Sequence, residues 1–371
     1  MNGEIQINPK LLKWAREERG YSKPEIANKI HVAQEKYSAW EDTGTGLGLD
    51  DLITLSKICK RQIAFFFLPS VPPKTKKPTD FRNLEPKQAR LTEKTLLAIR
   101  RTVRYQEFLL QLHGDGYYEE KYTWISEYKK LLQELPENID DITDWVRGLL
   151  NYPTHEQLTD RISPEASYQR WRNSVEQNLG VYVFQFAMAQ FEVQGFSYSD
   201  SFPYCIVINN AYAPTSRTFT LFHELSHIMK SQSGLCKPHD TFFKRGDSVE
   251  YDCNNFAGSL LVPSNEVIPA HDKDTIFEYA QRFKISSEVY LRRLFTLGYV
   301  SETEFFDLLD QIRKSVLPTI PHYIGSPVKK AINSRGTALF DSTVDAMNKR
   351  EISYSLASDI LGLKINYLFS L

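Results

Sequence analysis

The sequence has few cysteines and no long hydrophobic run. Its four cysteines, Cys59, Cys205, Cys236 and Cys253, lie far apart, and no C-x-x-C pair occurs in the 371 residues. This spacing argues against a cysteine-based zinc ribbon and against a disulfide framework, and it is typical of proteins in reducing compartments. The longest apolar run, IAFFFL at 63–68, is far too short to span a bilayer.

The chain also lacks a strong charge of either sign. Its 45 lysines and arginines nearly balance 46 aspartates and glutamates, for a net charge of −1. No global basic field therefore indicates a nucleic-acid or membrane partner, although a local basic face stays open. The N-terminal stretch MNGEIQINPK has no basic segment followed by an apolar one, as a signal peptide would. We expect a cytoplasmic protein that binds no membrane.

Length and composition predict a soluble globular protein of two or three domains, and its segments of helix and strand pattern predict the α+β class. A hydrophobic content of 42% and a charged content of 25% are typical of soluble globular proteins. Prolines and lysines in LPSVPPKTKKPTD predict an extended linker, because proline restricts its neighbours and the lysines repel one another. We expect, in order, a helical unit at 1–68, the linker at 69–82, a helical middle region at 83–164, a mixed domain at 165–311 and a helical segment at 312–371.

Three short segments predict the strands of one small sheet. They are LGVYVFQFAM at 179–188, EVQGFSY at 192–198 and PYCIVINNA at 203–211, where β-branched and aromatic residues run in blocks between Gly, Ser, Asp and Pro. Helical periodicity resumes afterwards at 215–231 and 248–261, and two or three more helices follow within 274–315.

The stretch FTLFHELSHIMK, at 219–230, carries an H-E-x-x-H pattern. On a helix, His223 and His227 lie one turn apart on the same face, where both rings can bind one ion at about 2 Å. Glu224 is placed to reach a water beside the ion and thus to act as a general base. The pattern predicts one Zn²⁺, or another divalent metal, per chain. The alternative is a buried helix with two hydrogen-bonded core histidines.

Catalytic zinc needs a third protein ligand. Residue chemistry alone leaves five candidates, namely Glu250, Asp247, Asp252, His239 and His271. In the helix expected at 248–261, Glu250 and Asn254 lie one turn apart, so Asn254 could orient the Glu250 carboxylate. The alternative for Glu250 is a solvated carboxylate at the start of a helix.

RTFTLFHELSHIM followed by EYDCNNFAGSLLVP resembles the ImmA/IrrE family of zinc-dependent peptidases. The resemblance covers roughly 165–311 and implies a zincin-like metallopeptidase domain. It also implies that His223, His227 and Glu250 are the metal ligands and that Glu224 is the base. The sequence departs from the family pattern at Ser226, where Gly is usual, and at Cys253, where Ala is usual. Both side chains are small, so we expect the metal site to be retained.

The implied activity is metal-assisted peptide hydrolysis. The ion would polarise the scissile carbonyl, and Glu224 would take a proton from the attacking water and pass it to the leaving amine. His239 and Tyr251 are candidates for an additional donor to the oxyanion.

The N-terminal 68 residues carry the signals of a small helical unit. SKPEIANKI, at 22–30, has Ser22 followed three residues later by Glu25, the pattern of a capping box at a helix start. A turn, the segment HVAQEKYSAWEDTGTG and a further helical segment follow. We expect the core of this unit to contain Leu12, Ile26, Ala27, Ile30, Val32, Trp40, Leu52 and Leu55.

YSKPEIANKIHVAQEKYSAWED resembles the helix-turn-helix of phage-repressor-like (XRE) proteins. The resemblance implies that a helix at about 33–42 lies in the major groove of double-stranded DNA, as part of a homodimer. Its base contacts would be made by Gln34, Lys36, Tyr37 and Ser38, with Gln34 able to contact adenine through two hydrogen bonds. The net charge of this unit is only +1, so a module that binds protein or forms dimers is the alternative.

Two functions follow from these patterns. The first is a regulatory zinc-dependent peptidase that cleaves a protein, such as a helix-turn-helix repressor, to control transcription of stress or mobile-element genes. The second is a DNA-binding regulator or antitoxin-like protein with a toxin partner, whose peptidase fold serves as a partner-binding body.

Overall fold

The computed structural model describes two compact units. The first comprises residues 5–74 and 91–103, and the second begins at residue 104. The predicted linker lies outside the described residues after position 74, as do residues 83–90 of the predicted middle region. The ranges that the structure describes are 5–74, 91–134, 138–190, 192–231, 235–236, 249–315 and 325–371.

The first unit is formed by short helices around one core. The expected core residues are buried, with Val32 partly buried against them. Ser22 and Glu25 form the predicted capping box. The helices are α1 (Pro9–Glu18), α2 (Lys23–Lys29), α3 (Gln34–Thr43), α4 (Leu49–Cys59) and a 3-10 helix (Ile63–Phe67).

A buried carboxylate joins α1 to α3. Glu41 Oε1 accepts hydrogen bonds from Arg16 Nε at 2.5 Å and from the Tyr37 hydroxyl at 2.9 Å. The guanidinium compensates the carboxylate charge that burial would otherwise make costly. The prediction that Tyr37 contacts bases is wrong, since its side chain is 0% exposed. Its ring belongs to the core that α3 buries.

Helices also form the first part of the second unit. Arg147 Nε donates to the carbonyl of Leu260 at 2.9 Å, and Gln157 Nε2 donates to that of Leu261 at 3.1 Å. These bonds hold the middle region against the last turn of the helix Val249–Leu261. That helix carries part of the candidate metal site described below. The helices are α5 (Glu93–His113), which begins in the first unit, α6 (Asp115–Lys121), α7 (Thr123–Glu134), α8 (Ile139–Leu150), α9 (Thr154–Thr159) and α10 (Pro164–Asn178).

A mixed sheet follows α10. Its strands are β1 (Tyr182–Phe186), β2 (Gly195–Tyr198), β3 (Cys205–Asn209) and β4 (Leu235–Cys236), in the order β1-β3-β2-β4. β1 is parallel to β3, whereas β2 is antiparallel to both β3 and β4. Every residue of β1, β2 and β3 is buried, so both faces of this part of the sheet are covered. The three predicted strands are confirmed; β4 was not predicted.

The remaining helices complete an α+β arrangement. α11 lies against β2, β3 and α12. Among the described residues, none of the helices is both long and apolar enough to cross a bilayer. The helices are α11 (Pro214–Met229), α12 (Val249–Leu261), α13 (Lys273–Phe283), α14 (Ser287–Thr296), α15 (Glu302–Ser315), α16 (Pro327–Asn348), α17 (Tyr354–Leu361) and α18 (Ile365–Leu368).

The C-terminal segment is joined to the sheet through two buried side chains of α10. Glu176 accepts hydrogen bonds from the amides of Val183 at 3.1 Å and Thr337 at 2.9 Å. Arg172 donates to the carbonyl of Val183 at 3.1 Å and to that of Asn333 at 2.6 Å. The two side chains therefore pair the outer backbone groups of edge strand β1 and connect them to α16.

Candidate metal centre

The H-E-x-x-H pattern lies on the buried helix α11. The helix begins at Pro214. The first amides of a helix have no acceptor within it, so proline, which has no amide proton, suits this position. His223 is 1% exposed and His227 is 2% exposed. Their Nε2 atoms lie 3.1 Å apart. One helical turn therefore brings the two nitrogens to a common point.

Helix α12 brings a carboxylate to the same point. Glu250 Oε2 lies 3.2 Å from His223 Nε2, and Glu250 Oε1 lies 3.2 Å from His227 Nε2. One ligand atom from each of the three residues lies within 4.8 Å of the others. The three side chains named as ligands by the resemblance are thus neighbours.

The other third-ligand candidates lie elsewhere or cannot be located. Asp252 accepts a hydrogen bond from Lys230 Nζ at 2.7 Å, with 63% of its side chain exposed. His271 Nδ1 is 2.6 Å from Glu304 Oε1, and its side chain is 60% exposed. Asp247 and His239 lie outside the described residues.

The donor set fits a divalent cation. His223 Nδ1 lies 2.9 Å from Asn254 Oδ1, and since a carbonyl oxygen only accepts, the proton of this imidazole is on Nδ1. His223 Nε2 therefore directs a lone pair at the second imidazole and the carboxylate, an arrangement that a cation between them would stabilise. Ligand atoms about 2 Å from one tetrahedral zinc are roughly 3.3 Å apart, close to the 3.1 and 3.2 Å found here.

Asn254 has a different partner from the expected one. The sequence predicts that it orients the Glu250 carboxylate, but its amide oxygen contacts His223 instead. The two residues do lie one turn apart on α12. However, the contact across to α11 brings the amide beside the imidazole. Asn254 is suited to hold the ring and its tautomer, as the hydrogen-bonded partners of metal ligands do.

The electrostatics of the group also favour a positive charge at its centre. Burial alone would raise the pKa of Glu250, but hydrogen bonds with His223 and His227 hold it well below its usual value. Burial alone would lower the pKa of His227, but interactions with Cys253 and Glu250 raise it to about 11. A proton and a divalent cation would both meet this preference, so they compete for the site.

Glu224 is buried beside the two histidines. Its side chain is 0% exposed, and burial raises its pKa above the ordinary value. His227 and His223 act on it electrostatically in the opposite direction, and a hydrogen bond with the Ser197 side chain does the same. A carboxylate held this way, outside the ligand set but within its field, is suited to proton transfer.

Gly195 allows β2 to lie close to α11. A Cβ placed on this residue would be 2.5 Å from Thr220 Cγ2 and 2.9 Å from the carbonyl oxygen of Val207. It would also be 3.5 Å from Glu224 Cγ. Sequence reasoning missed the roles of Gly195 and Ser197. A glycine inside a strand pattern was the available signal, because it often indicates close approach of another element.

The two residues that depart from the family pattern, Ser226 and Cys253, are both buried. Ser226 is 2% exposed and Cys253 is 0% exposed. The Cys253 thiol is free and interacts with His227. Tyr251 is half-buried next to Glu250. Its role as an oxyanion donor stays a prediction.

The residues predicted to contact DNA lie on α3 of the first unit. Gln34 and Lys36 are exposed, and Ser38 is half-buried. Glu35 is exposed between them. Because Tyr37 is buried, the surface of α3 that is available to DNA consists of the predicted side chains Gln34, Lys36 and Ser38 together with the Glu35 carboxylate.

Comparison with known families gives one match. Residues 176–295 match the model of the IrrE N-terminal-like domain, Peptidase_M78. The matched range includes β1 to β3, α11 and α12, and therefore His223, Glu224, His227 and Glu250. No curated protein and no solved structure shows a significant match to the chain. The similarity supports a metallopeptidase-type function for this part of the protein.

Proposed function

We propose that the protein is a metal-dependent peptidase. The convergence of His223 Nε2, His227 Nε2 and the Glu250 carboxylate at 3.1 to 3.2 Å carries this proposal. The buried Glu224 beside them adds the group that proton transfer needs. The similarity of residues 176–295 to the Peptidase_M78 family supports the same reaction class.

The three ligands would hold a zinc ion or a similar divalent metal. Such an ion, when bound, acidifies a water and polarises a carbonyl oxygen. Glu224 would accept the proton of the attacking water and return it to the nitrogen of the leaving amine. Its raised pKa suits both steps, because a carboxyl group with a higher pKa is the stronger base and still donates to an amine. The Ser197 hydroxyl would orient the carboxylate throughout.

Metal content and peptide hydrolysis test this proposal together. We expect about one zinc per chain in the wild type and in Glu224→Gln, but none in His223→Ala or Glu250→Ala. Hydrolysis of a proteome-derived peptide mixture should fall by a factor of about 10²–10⁴ in Glu224→Gln, as is usual when a general base is lost.

Asp252→Asn provides the matched control. This carboxylate lies on the same helix as Glu250 but pairs with Lys230 and is largely exposed. We expect wild-type zinc content and activity from the variant. A wild type that takes up no zinc when zinc is offered would contradict the proposal.

The substrate we propose is a protein, in particular a helix-turn-helix repressor whose cleavage would release transcription. The resemblance of the chain to ImmA/IrrE proteins supports this choice. Purified repressors from the same operon region would be incubated with the wild type and with Glu224→Gln, and new termini identified by mass spectrometry. Cleavage by the wild type alone supports the regulatory role, and intact repressors in both samples oppose it.

A second candidate function is DNA binding by the first unit, as a homodimer. It is favoured by the exposure of Gln34 and Lys36 on α3, a helix that buried Tyr37 and Trp40 anchor in the core of the unit. With DNA sites selected from a random pool, Gln34→Ala should relax base specificity. Lys36→Ala should relax base specificity at a second position and, through the lost charge, also reduce the salt dependence of binding. A wild type that selects no sequence leaves protein binding, for example to a toxin partner, as the use of this unit.

Regulation by the Glu224→Gln variant separates the two functions. Normal transcriptional control in cells that carry only this variant would favour the DNA-binding or antitoxin-like alternative. Loss of control, with zinc still bound, would favour the peptidase.

A further inference from the structure

A cavity of about 370 Å³ adjoins the metal centre, between α12, α14 and α15. Two of its lining residues touch the site itself. Asn254 accepts the hydrogen bond from His223 Nδ1, and the Phe219 ring centroid lies 6.4 Å from that of His223. The volume of the cavity is within the range of small-ligand pockets. A chain held at the metal centre would thus have a cavity available for one of its side chains.

The walls of the cavity are mainly apolar. Val289, Val300 and Phe305 are buried side chains that line it, and Phe295 and Phe219 add two further aromatic rings. Aromatic walls of this kind gain most from contact with another large apolar group.

The two arginines that line the cavity are compensated within the protein. Arg293 donates to the carbonyl of Val262 and to Asp140 Oδ1, each at 2.9 Å. Arg292 donates to Glu288 Oε1 at 2.5 Å. A charged ligand group would have to compete with these pairs, whereas an apolar group would not.

Gly258 is one of the residues that line the cavity. It follows Glu250 and Asn254 at intervals of four on α12, so the metal ligand, the imidazole partner and the cavity wall share one helix face. A Cβ placed on Gly258 would meet no heavy atom of the described residues within 4 Å. Any larger side chain at this position would therefore extend into open space. Glycine in a helix lowers stability relative to other residues, and here it leaves the space free.

We infer that this cavity receives a large apolar side chain of the substrate, aromatic or leucine-like, next to the scissile bond, and that Gly258 determines the size accepted. The inference rests on the proposed peptidase function and specifies the substrate class of that same site. The predicted cleavage sites in proteins therefore lie beside bulky hydrophobic residues.

Two metal-chelating probes that differ only in their side chain test the inference without relying on turnover. Phenylalanine hydroxamate and glycine hydroxamate would be titrated calorimetrically into zinc-loaded wild type, Gly258→Ala and Gly258→Leu. In the wild type we expect phenylalanine hydroxamate to bind at least about tenfold more tightly, the discrimination typical of an apolar pocket. Gly258→Leu should bring this ratio close to one, and Gly258→Ala should give an intermediate ratio.

Gly148→Leu is the matched control. Gly148 lies on α8, and a Cβ there also meets nothing within 4 Å in the described part of the chain, but the residue does not line the cavity. It should keep the wild-type ratio. All variants should keep their zinc, because none of these glycines binds the metal.

The outcomes separate the two proposals. A zinc-loaded wild type that binds both hydroxamates equally, or a Gly258→Leu variant with the wild-type ratio, overturns the pocket and leaves the peptidase proposal standing. A wild type without zinc overturns the peptidase proposal, and the inference fails with it. A ratio that falls only in the Gly258 variants supports the assignment, and a cleavage profile with Phe, Leu or Met beside the scissile bond would extend it to peptides.

Discussion

His223 Nδ1 lies 2.9 Å from Asn254 Oδ1, and this hydrogen bond joins the two helices that carry the proposed metal ligands. The bond places the proton of His223 on Nδ1 and leaves Nε2 for a metal. It also fixes the ring plane relative to α12, from which Glu250 extends. The ligand on one helix is thus oriented by a side chain of the other, so the site depends on the packing of α11 against α12.

Removal of this bond should weaken metal binding. We expect Asn254→Ala to lower zinc affinity by a factor of about 10–100, the usual effect of losing a hydrogen-bond partner of a metal ligand. Asn254→Asp, which keeps an acceptor oxygen, should lose less. Competition with a chromophoric chelator measures the affinity. Ser259→Ala, on the same helix, should have no effect, because the buried Ser259 hydroxyl has no hydrogen-bond partner among the described residues. Equal affinities for Asn254→Ala and the wild type would contradict the role of Asn254.

The close approach of β2 and α11 predicts that Gly195→Ala is destabilising. Its Cβ would be 2.5 Å from Thr220 Cγ2, so the strand or the helix must move. We expect a loss of about 1–3 kcal/mol in the free energy of unfolding, typical of overpacking, measured by urea denaturation. Gly116→Ala on α6 is the control, since no described residue has an atom within 4 Å of a Cβ placed there. If both variants are as stable as the wild type, the packing argument fails.

Replacement of Gly336, in helix α16, should also lower stability. Gly336 has a φ of 81°, and a Cβ on it would overlap Glu176 Oε1. Gly114 has a similar φ of 77°, but a Cβ there would meet none of the described atoms within 4 Å. Both alanine variants should lose about 1–3 kcal/mol, because ψ is 162° at Gly336 and 166° at Gly114 and this combination with positive φ is nearly restricted to glycine. Gly336→Ala should lose more, because it also disrupts the Glu176 hydrogen bonds. Thermal unfolding of the two variants would reveal the difference, and equal losses would argue against the steric contribution.

Glu176 should make stability depend on pH. Burial raises its pKa above the ordinary 4.5, although Arg172 and several hydrogen bonds act in the opposite direction. A carboxyl group with a raised pKa in the folded state contributes stability below its unfolded pKa and loses this contribution as pH rises through the folded value. The free energy of unfolding of the wild type, relative to Glu176→Gln, should therefore decrease from about pH 4.5 upwards. Urea titrations of both proteins across pH 4 to 8 measure it, and a constant difference would contradict the shift.

The buried pair of the first unit predicts a large effect at Glu41. Glu41→Ala leaves Arg16 without the carboxylate that compensates it and removes the acceptor of the Tyr37 hydroxyl. We expect a loss of about 3–5 kcal/mol in the stability of this unit, as for other broken buried pairs. Glu35→Ala, exposed on the same helix, should change stability by less than about 0.5 kcal/mol. Chemical denaturation followed by tryptophan fluorescence distinguishes them, since Trp14 and Trp40 are buried in this core.

Some features of the site follow from the sequence alone. The spacing of His223 and His227 determines that their rings share a helix face, because four residues make about one turn. The separation of Glu250, Asn254 and Gly258 by four residues has the same consequence for α12. The capping box at Ser22 and the three predicted strands were equally predictable. All these features depend on hydrogen bonds and steric constraints between residues near one another in the chain.

The packing of distant elements decided the rest. Residue chemistry left five candidates for the third ligand, and only the contact of α12 with α11 brings Glu250 to the histidines. The same contact directs Asn254 to His223 rather than to Glu250. Helical periodicity could not tell that Tyr37 faces Glu41 and the core rather than solvent. The proximity of Gly195 and Ser197 to Glu224 likewise depends on how β2 lies against α11. Such relationships arise from the complementary shapes and charges of surfaces far apart in sequence, which local patterns do not specify.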